Sequence, residues 1–557
     1  MPERLMSRVR LRVPGRAALQ SIQLRVPVLG AAASTAAACA AVVAFFLVTR
    51  LFLLWRFPPF LDESLYATWA SAAHDSVNER FIALANGKLP LLPWLGGAVM
   101  GLGAEPITAV RLVSFVCGLV TMAMAGLLGA RLGGRWVGVA AAGAYAVLPF
   151  SLVHDVLGLM EPLVATTGIV ALYLQVRLAV QPRLDFALLL GLVFGAGLLT
   201  KESGAIPLVL LPASLLVFRW GEAGWQRRLA GWVGCAVVSL ALAGVCYSVL
   251  ALSEFWDDYG SARASLGTWR SLGTGLSHPL RWLDHAWPGD RDLLVGFVTW
   301  PILLLAALGL GLALKARPRL ALLYLLWALV PTATAVLFLE ETFARYLLPA
   351  VPVIALFAGY GAQRLVQEGR RLPAVWRPLA ATGALVLVAL AALVFDGQIL
   401  SDPAKAAYPG TSRGEYSTGW AAGTGWKALA RELKRRSAAR PIVVGYYEQF
   451  SYALPLLLRH DRQIVFSRGD ANATYVVRNG ADFPTPAGNG SLRLAWTYHR
   501  PDRGVPLELY ERGIRWRDSF YRTRDELRAG LGLSDADFDR FLQEHPSIKA
   551  WYDGAAQ

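Results

Sequence analysis

The amino-acid sequence predicts a polytopic α-helical membrane protein, with about 11 transmembrane helices over residues 1–396 and a small extracytoplasmic α/β domain over residues 397–557. Three observations lead there. The 557 residues are 55% hydrophobic and only 17% charged, with a mean hydropathy of +0.43, which is too apolar for a soluble chain. Apolar runs of spanning length recur as far as Phe395, where the composition turns polar. Arg and Lys residues fall in alternate gaps between the runs, as the positive-inside rule requires. That placement also explains the formal net charge of +15 without a nucleic-acid partner, and nucleic-acid binding is excluded on that ground. The four cysteines, Cys39, Cys117, Cys235 and Cys246, lie in apolar segments and imply no disulfide framework.

In chain order, an Arg-rich start precedes an apolar stretch over 26–54, too long for a signal peptide and therefore an uncleaved first helix. A long outer loop follows, read as two helices lying on the membrane. Further spans are expected at 107–129, 136–152, 161–178, 184–200, 204–219, 229–251, 293–313, 320–339, 345–364 and 374–395. An odd total puts the tail outside a plasma or inner membrane when the basic start is inside. The inner loops then carry Arg131 and Arg135, Arg177 and Arg183, Arg219, Arg227 and Arg228, Lys315, Arg317 and Arg319, and Arg364, Arg370, Arg371 and Arg377. The loop from Ser253 to Asp292, rich in aromatics from Trp256 to Trp287, reads either as a mobile lid or as an interfacial Trp belt. In the tail, a helix is expected over 427–436, strands over 441–446 and 473–477, and a capped helix over 534–541. The tail shows no phosphate loop, dinucleotide fingerprint or zinc spacing, so it is expected to guide an acceptor and do no chemistry. Asn472 and Asn489 fit the N-glycosylation pattern.

The functional reading turns on Arg56 to Trp69. Pro58 and Pro59 keep the chain extended, so a helix begins near Asp62 with Asp62 and Glu63 in its first turn. Asp62, Tyr66 and Trp69 then share one face at i, i+4 and i+7. An acid beside two flat rings suits a sugar: the rings cover its C–H face and the carboxylate takes a hydroxyl proton. The same residues would also serve as an acidic helix start with an interfacial aromatic anchor. What weighs against that plainer role is the rest of the chain. Lys88, His154, Asp155, Glu161, Lys201, Glu202, Glu340, Glu341 and Arg345 all fall at the outer ends of spans or in outer loops. Ionisable groups at membrane depth are costly and face a cavity, so they are expected to form one polar site with Asp62 and Glu63.

In this order, Asp62-Glu63, Lys88-Leu89-Pro90, Leu199-Thr200-Lys201 and Arg345-Tyr346-Leu347-Leu348-Pro349 resemble the lipid-carrier-dependent glycosyltransferases of the GT-C superfamily, in particular protein O-mannosyltransferases and the bacterial aminoarabinose lipid A transferase. Leu89, Glu202 and Glu161 depart from the family pattern, where a Pro, a Gly and an Asp are usual. The resemblance implies a GT-C-like membrane domain, a sugar donor carried on polyprenyl phosphate, inversion at the anomeric carbon, and a lipid, glycan or protein acceptor. Asp62 would be the base and Glu63 would orient sugar or acceptor. Lys201 and Arg345, with Lys88 as a third cation, would hold the leaving phosphate. Tyr66, Trp69, Asp155, Glu161 and Tyr346 complete the expected binding set, with Glu202 and Glu340 or Glu341 as alternative partners for the cations. A divalent metal is possible, with Asp62 and Glu161 as its candidate ligands. The rival reading is a transporter or flippase of lipid-linked sugars. The chain has no detectable internal repeat, and its charges gather at one face instead of the bilayer middle.

Overall fold

The computed structural model describes residues 31–544 apart from 268–276, 278, 342, 370–376, 439–440, 447–451, 469–472, 481–491 and most of 513–532. Among the described residues, seven helices are long and apolar enough to cross a membrane, or eight if one sharply bent pair is a single span. The bundle runs α1 (Ala31–Leu54), α2 (Leu61–Asp75), α3 (Leu91–Met100), α4 (Pro106–Gly133), α5 (Arg135–Ala146), α6 (Met160–Val180), α7 (Leu184–Thr200) and α8 (Trp225–Ser248). It continues with α9 (Trp256–Ser265), α10 (Pro279–Val298), α11 (Trp300–Ala316), α12 (Pro318–Phe338), α13 (Val351–Gly369) and α14 (Arg377–Ser401).

The difference from about 11 spans arises where apolar sequence does not make one long helix. The stretch 136–152 divides into α5 and a separate piece from Pro149, because Leu148 precedes a proline and turns extended. The stretch 204–219 becomes short helical turns over 202–217, interrupted at Pro207 and Pro212. The stretch 293–313 is shared by α10 and α11, which bend by 96°. At 17 residues α7 is short for a span. The expected loop 253–292 is largely helical, as α9 and α10, while Trp269 lies outside the described residues. Asn472 and Asn489 lie outside them too.

The tail builds a five-stranded mixed sheet in the order β2-β1-β3-β5-β4, from β1 (Ile442–Tyr446), β2 (Ile464–Arg468), β3 (Tyr475–Asn479), β4 (Leu492–Tyr498) and β5 (Leu507–Arg512). β1 is parallel to β2 and β3, and β5 is antiparallel to β3 and β4. Helix α15 (Trp426–Ser437) buries Trp426, Leu429 and Leu433 against one sheet face. Helix α16 (Asp535–Glu544) covers the other face with Phe538 and Leu542. The expected strands β1 and β3 are therefore present; β2, β4 and β5 have weaker alternation and were not foreseen.

The proposed division at 396/397 falls inside α14, which continues to Ser401. Beyond it, Ala406, Tyr408 and Tyr416 belong to the buried core of the bundle, and Leu61 donates to the Ala421 carbonyl at 3.2 Å. The segment before α15 is thus part of the membrane body, and it brings tail residues to the start of α2.

Candidate active site

Pro58 and Pro59 hold the chain extended up to Phe60, the cap of α2, and the helix begins at Leu61. Asp62 projects from its first turn, and its Oδ2 accepts from Arg345 Nη2 at 3.1 Å. Arg345 stands on a tight turn, Ala344–Ala350, that precedes α13. Its Nη1 pairs with Glu415, its Nε lies 3.9 Å from Glu161, and its guanidinium covers the Phe343 ring at 4.4 Å. Glu161, in the first turn of α6, accepts from Lys201 Nζ at 2.6 Å. Lys201 caps α7 and lies 4.1 Å above the centre of the Tyr346 ring. Three carboxylates and two cations from five parts of the chain thus form one continuous network.

Burying such a network costs desolvation that a purely apolar core would avoid, so its presence at one end of these helices points to use. Within it Asp62 is the accessible carboxylate, 31% exposed against 6% for Glu161 and 7% for Glu415. Glu161 Oε2 and Glu415 Oε2 are buried with no hydrogen-bond partner. Both are acceptors that a bound hydroxyl would satisfy. Burial pushes the Glu415 carboxyl up to about 7, against the pull of Arg345.

Beside the network opens a cavity of about 1040 Å³, counting its mouth. Lys88, Lys201, Arg263, Glu161, Glu202, Tyr66 and Tyr346 line its polar end, while Val164, Trp327, Pro331, Ala335 and Leu339 line an apolar wall between α6 and α12. Arg263 reaches it from α9, held by Glu202 at 2.5 Å, with Tyr259 donating to the same carboxylate at 3.2 Å. Burial lowers the affinity of Lys88 for its proton, and the nearby charge of Lys201 lowers it further.

The structure therefore gathers Asp62, Tyr66, Lys88, Glu161, Lys201, Arg345 and Tyr346, but sets other expected residues apart. Glu63 is fully buried and turned to Arg111 of α4, whose Nε lies 2.9 Å from its Oε2; it also accepts from the Phe60 and Gly158 amides. Neighbours on a helix point about 100° apart, so Glu63 faces α4 while Asp62 faces the site. Its expected role in orienting substrate gives way to a structural one. Asp155 is likewise fully buried, bonded to Tyr145 Oη at 3.0 Å and 3.5 Å from Arg50 Nε, where it ties α1 to α5. Trp69 is buried against Tyr66, with ring centres 5.7 Å apart, and does not line the cavity. Arg345 does not line it either, being engaged by Asp62, Glu415 and Glu161. The partners anticipated for Arg345, Glu340 or Glu341, are replaced by these three, and Glu202 pairs with Arg263 instead of Lys201.

Sequence reasoning missed Arg263, Glu415 and Arg111. Trp256, Tyr259 and Arg263 sit at i, i+3 and i+7, which is a helical face and was a usable signal. Arg111 was legible as a lone charge within an apolar run. For Glu415 the sequence carries no such mark. As for a metal, Asp62 and Glu161 each face a cation already, and among the described residues no three His, Cys, Asp or Glu side chains are placed to hold one ion together. The donor set as arranged does not fit a divalent ion.

Residues 87–247 match the family model described as dolichyl-phosphate-mannose-protein mannosyltransferase. The fold is similar to crystal structures of ArnT from Cupriavidus metallidurans. In the apo state the TM-score is 0.55 at 16% identity, covering 80% of this chain and 87% of that one. With ArnT bound to undecaprenyl phosphate it is again 0.55 at 16% identity, covering 86% and 98%. The Archaeoglobus fulgidus oligosaccharyltransferase AglB, in complex with an inhibitory peptide and a dolichol-phosphate, reaches 0.48 at 11% identity over 80% of this chain and 69% of that one. No curated protein sequence matches the chain. The resemblance read from the sequence is met by that family match over part of the chain and by the ArnT-like fold, and the chain is a multi-pass helical membrane protein with a small C-terminal sheet domain.

Proposed function

We propose that the protein is a membrane glycosyltransferase that takes a sugar from a polyprenyl-phosphate carrier and passes it, with inversion, to an extracytoplasmic lipid, glycan or protein acceptor. The observation that carries this reading is the cavity itself. A polyprenyl phosphate is an apolar chain ending in an anion, and the cavity is an apolar wall ending in Lys88, Lys201 and Arg263. The undecaprenyl phosphate bound in the ArnT complex has that chemistry, which favours the same class of donor here.

In this reading the phosphate lies among the three cations, which offset the charge that develops as the anomeric C–O bond breaks. The sugar extends past Tyr66 and Tyr346 toward Asp62, whose carboxylate accepts the proton of the attacking hydroxyl. Arg345 keeps the Asp62 carboxylate aimed, while Glu161 holds Lys201 in place. The acceptor loses a proton, the glycosidic bond forms, and the polyprenyl phosphate departs. Product formation from a radiolabelled lipid-phosphate sugar tests the reading, and a chain that moves the lipid across a bilayer without forming product is instead the flippase of the rival reading.

Two further outcomes follow. Because Lys88 gives up its proton below the ordinary lysine value of about 10.4, one phosphate contact is lost early as pH rises. The donor KM is expected to climb on the alkaline side, and Lys88→Arg should move that climb to higher pH. A KM profile identical in both proteins removes Lys88 from the donor site. For orientation, the proposal places the amino terminus inside and the tail outside. A cysteine introduced at Arg493, an exposed position of the tail, should be labelled from outside and one at Arg317 should not, and the reverse pattern overturns the extracytoplasmic acceptor.

A further inference from the structure

A second cavity opens at the far end of the bundle. Helix α6 links the two: Glu161 in its first turn borders the candidate active site, while Val176 and Val180 near its end line the second cavity. The separation along the helix is about 25 Å, close to the thickness of a bilayer's hydrocarbon core. The second cavity measures about 860 Å³ counting its mouth. Arg131, Arg317 and Arg319 line it together with Val176, Val180 and Val217, and among the described residues no carboxylate is on its wall.

Orientation by the positive-inside rule needs only that basic residues lie on one side of the membrane; it does not require three of them to meet at one opening. Here two of them are held together by a contact within the fold. Arg317 Nη1 donates to the Arg131 carbonyl at 2.5 Å, and the Arg131 guanidinium lies 5.1 Å from the centre of the Tyr173 ring. Carboxylates at the same end are engaged elsewhere, Asp185 by Arg183 and Glu222 by Arg219 and Arg228. Helix α12 begins at Pro318 on the wall, so the positive end of a 21-residue helix adds to the guanidinium field.

Three cations, a helix start and an adjoining valine wall at the membrane boundary fit a phosphodiester that carries acyl chains. We infer that this cavity is a binding site for an anionic glycerophospholipid, separate from the donor cavity and independent of the activity proposed above.

Native mass spectrometry of the full chain in detergent tests this, with phosphatidylglycerol, phosphatidylcholine or inorganic phosphate added to wild type and to an Arg317→Gln/Arg319→Gln variant. Both residues are exposed, so the buried core is untouched. Wild type should retain phosphatidylglycerol over phosphatidylcholine, and the variant should bind it about thirty-fold more weakly. Val180→Trp, which fills the apolar wall and leaves the arginines in place, should also weaken phosphatidylglycerol. Equal retention of the two lipids by wild type, or undiminished phosphatidylglycerol in the double variant, overturns the site. If inorganic phosphate displaces phosphatidylglycerol completely and Val180→Trp has no effect, the cavity takes a free anion and the lipid assignment is wrong.

Discussion

Asp62→Asn is expected to leave the fold intact and donor affinity within a few-fold, and to cut turnover by about 10² to 10⁴, the usual worth of a general base. The carboxamide fills the same space and still accepts from Arg345, so the network survives while its proton acceptor is lost. No neighbour substitutes: Glu63 is committed to Arg111, and Glu161 and Glu415 are almost wholly buried. Turnover at saturating donor, read beside donor KM, is the discriminating measurement: turnover should fall while KM stays within a few-fold. Glu415 is the group expected to shape turnover near neutrality, since its carboxyl is pushed up to about 7. As pH falls through that value Glu415 takes a proton, Arg345 loses one counter-charge, and its grip on Asp62 tightens. Glu415→Gln fixes the neutral form at every pH, so it should flatten the profile near 7 at the turnover that wild type shows on the acid side of that value. If Asp62→Asn retains most activity, the acceptor is an anion that needs no base, and the role given to Asp62 is wrong.

Arg111→Met should lower folding stability by about 3–5 kcal/mol, the usual cost of leaving one member of a buried ion pair alone. Arg111 is 3% exposed and Glu63 fully buried. Besides Glu63, the guanidinium serves the carbonyls of Leu54 and Phe57, at 2.6 and 3.0 Å, and that of Pro58 at 3.1 Å. It therefore pins the link between α1 and α2, and with it the start of the helix that presents Asp62. The midpoint of thermal unfolding in detergent should fall well below wild type, and Glu63→Gln, which keeps some of the hydrogen bonds, should fall less. Turnover per folded molecule should hold in Glu63→Gln. An unchanged midpoint for Arg111→Met would show that the pair contributes nothing to the fold, and a large kcat loss in folded Glu63→Gln would return Glu63 to the site.

The contrast between Asp62 and Glu63 shows where reading the chain stops. Properties that depend on one segment were legible in sequence. The helix start after Pro58-Pro59 is set by steric exclusion between neighbours, the membrane class by the length of apolar runs, and strands β1 and β3 by unbroken Val and Ile. That ionisable side chains would gather at one end also followed, because charge is tolerated in a bilayer only at the interface or facing a cavity. Which acid meets which cation did not follow. A carboxylate takes whichever cation the packing of distant helices brings within about 4 Å, and the energy of each pair depends on burial that no single segment specifies. A lipid-facing chain with an acid at the head of α2 follows from local order alone. That Glu63 turns to Arg111, that Glu415 crosses from the tail to Arg345, and that Arg263 joins Lys88 and Lys201 around the cavity depends on long-range packing, since those partners lie 48, 70 and more than 60 residues apart.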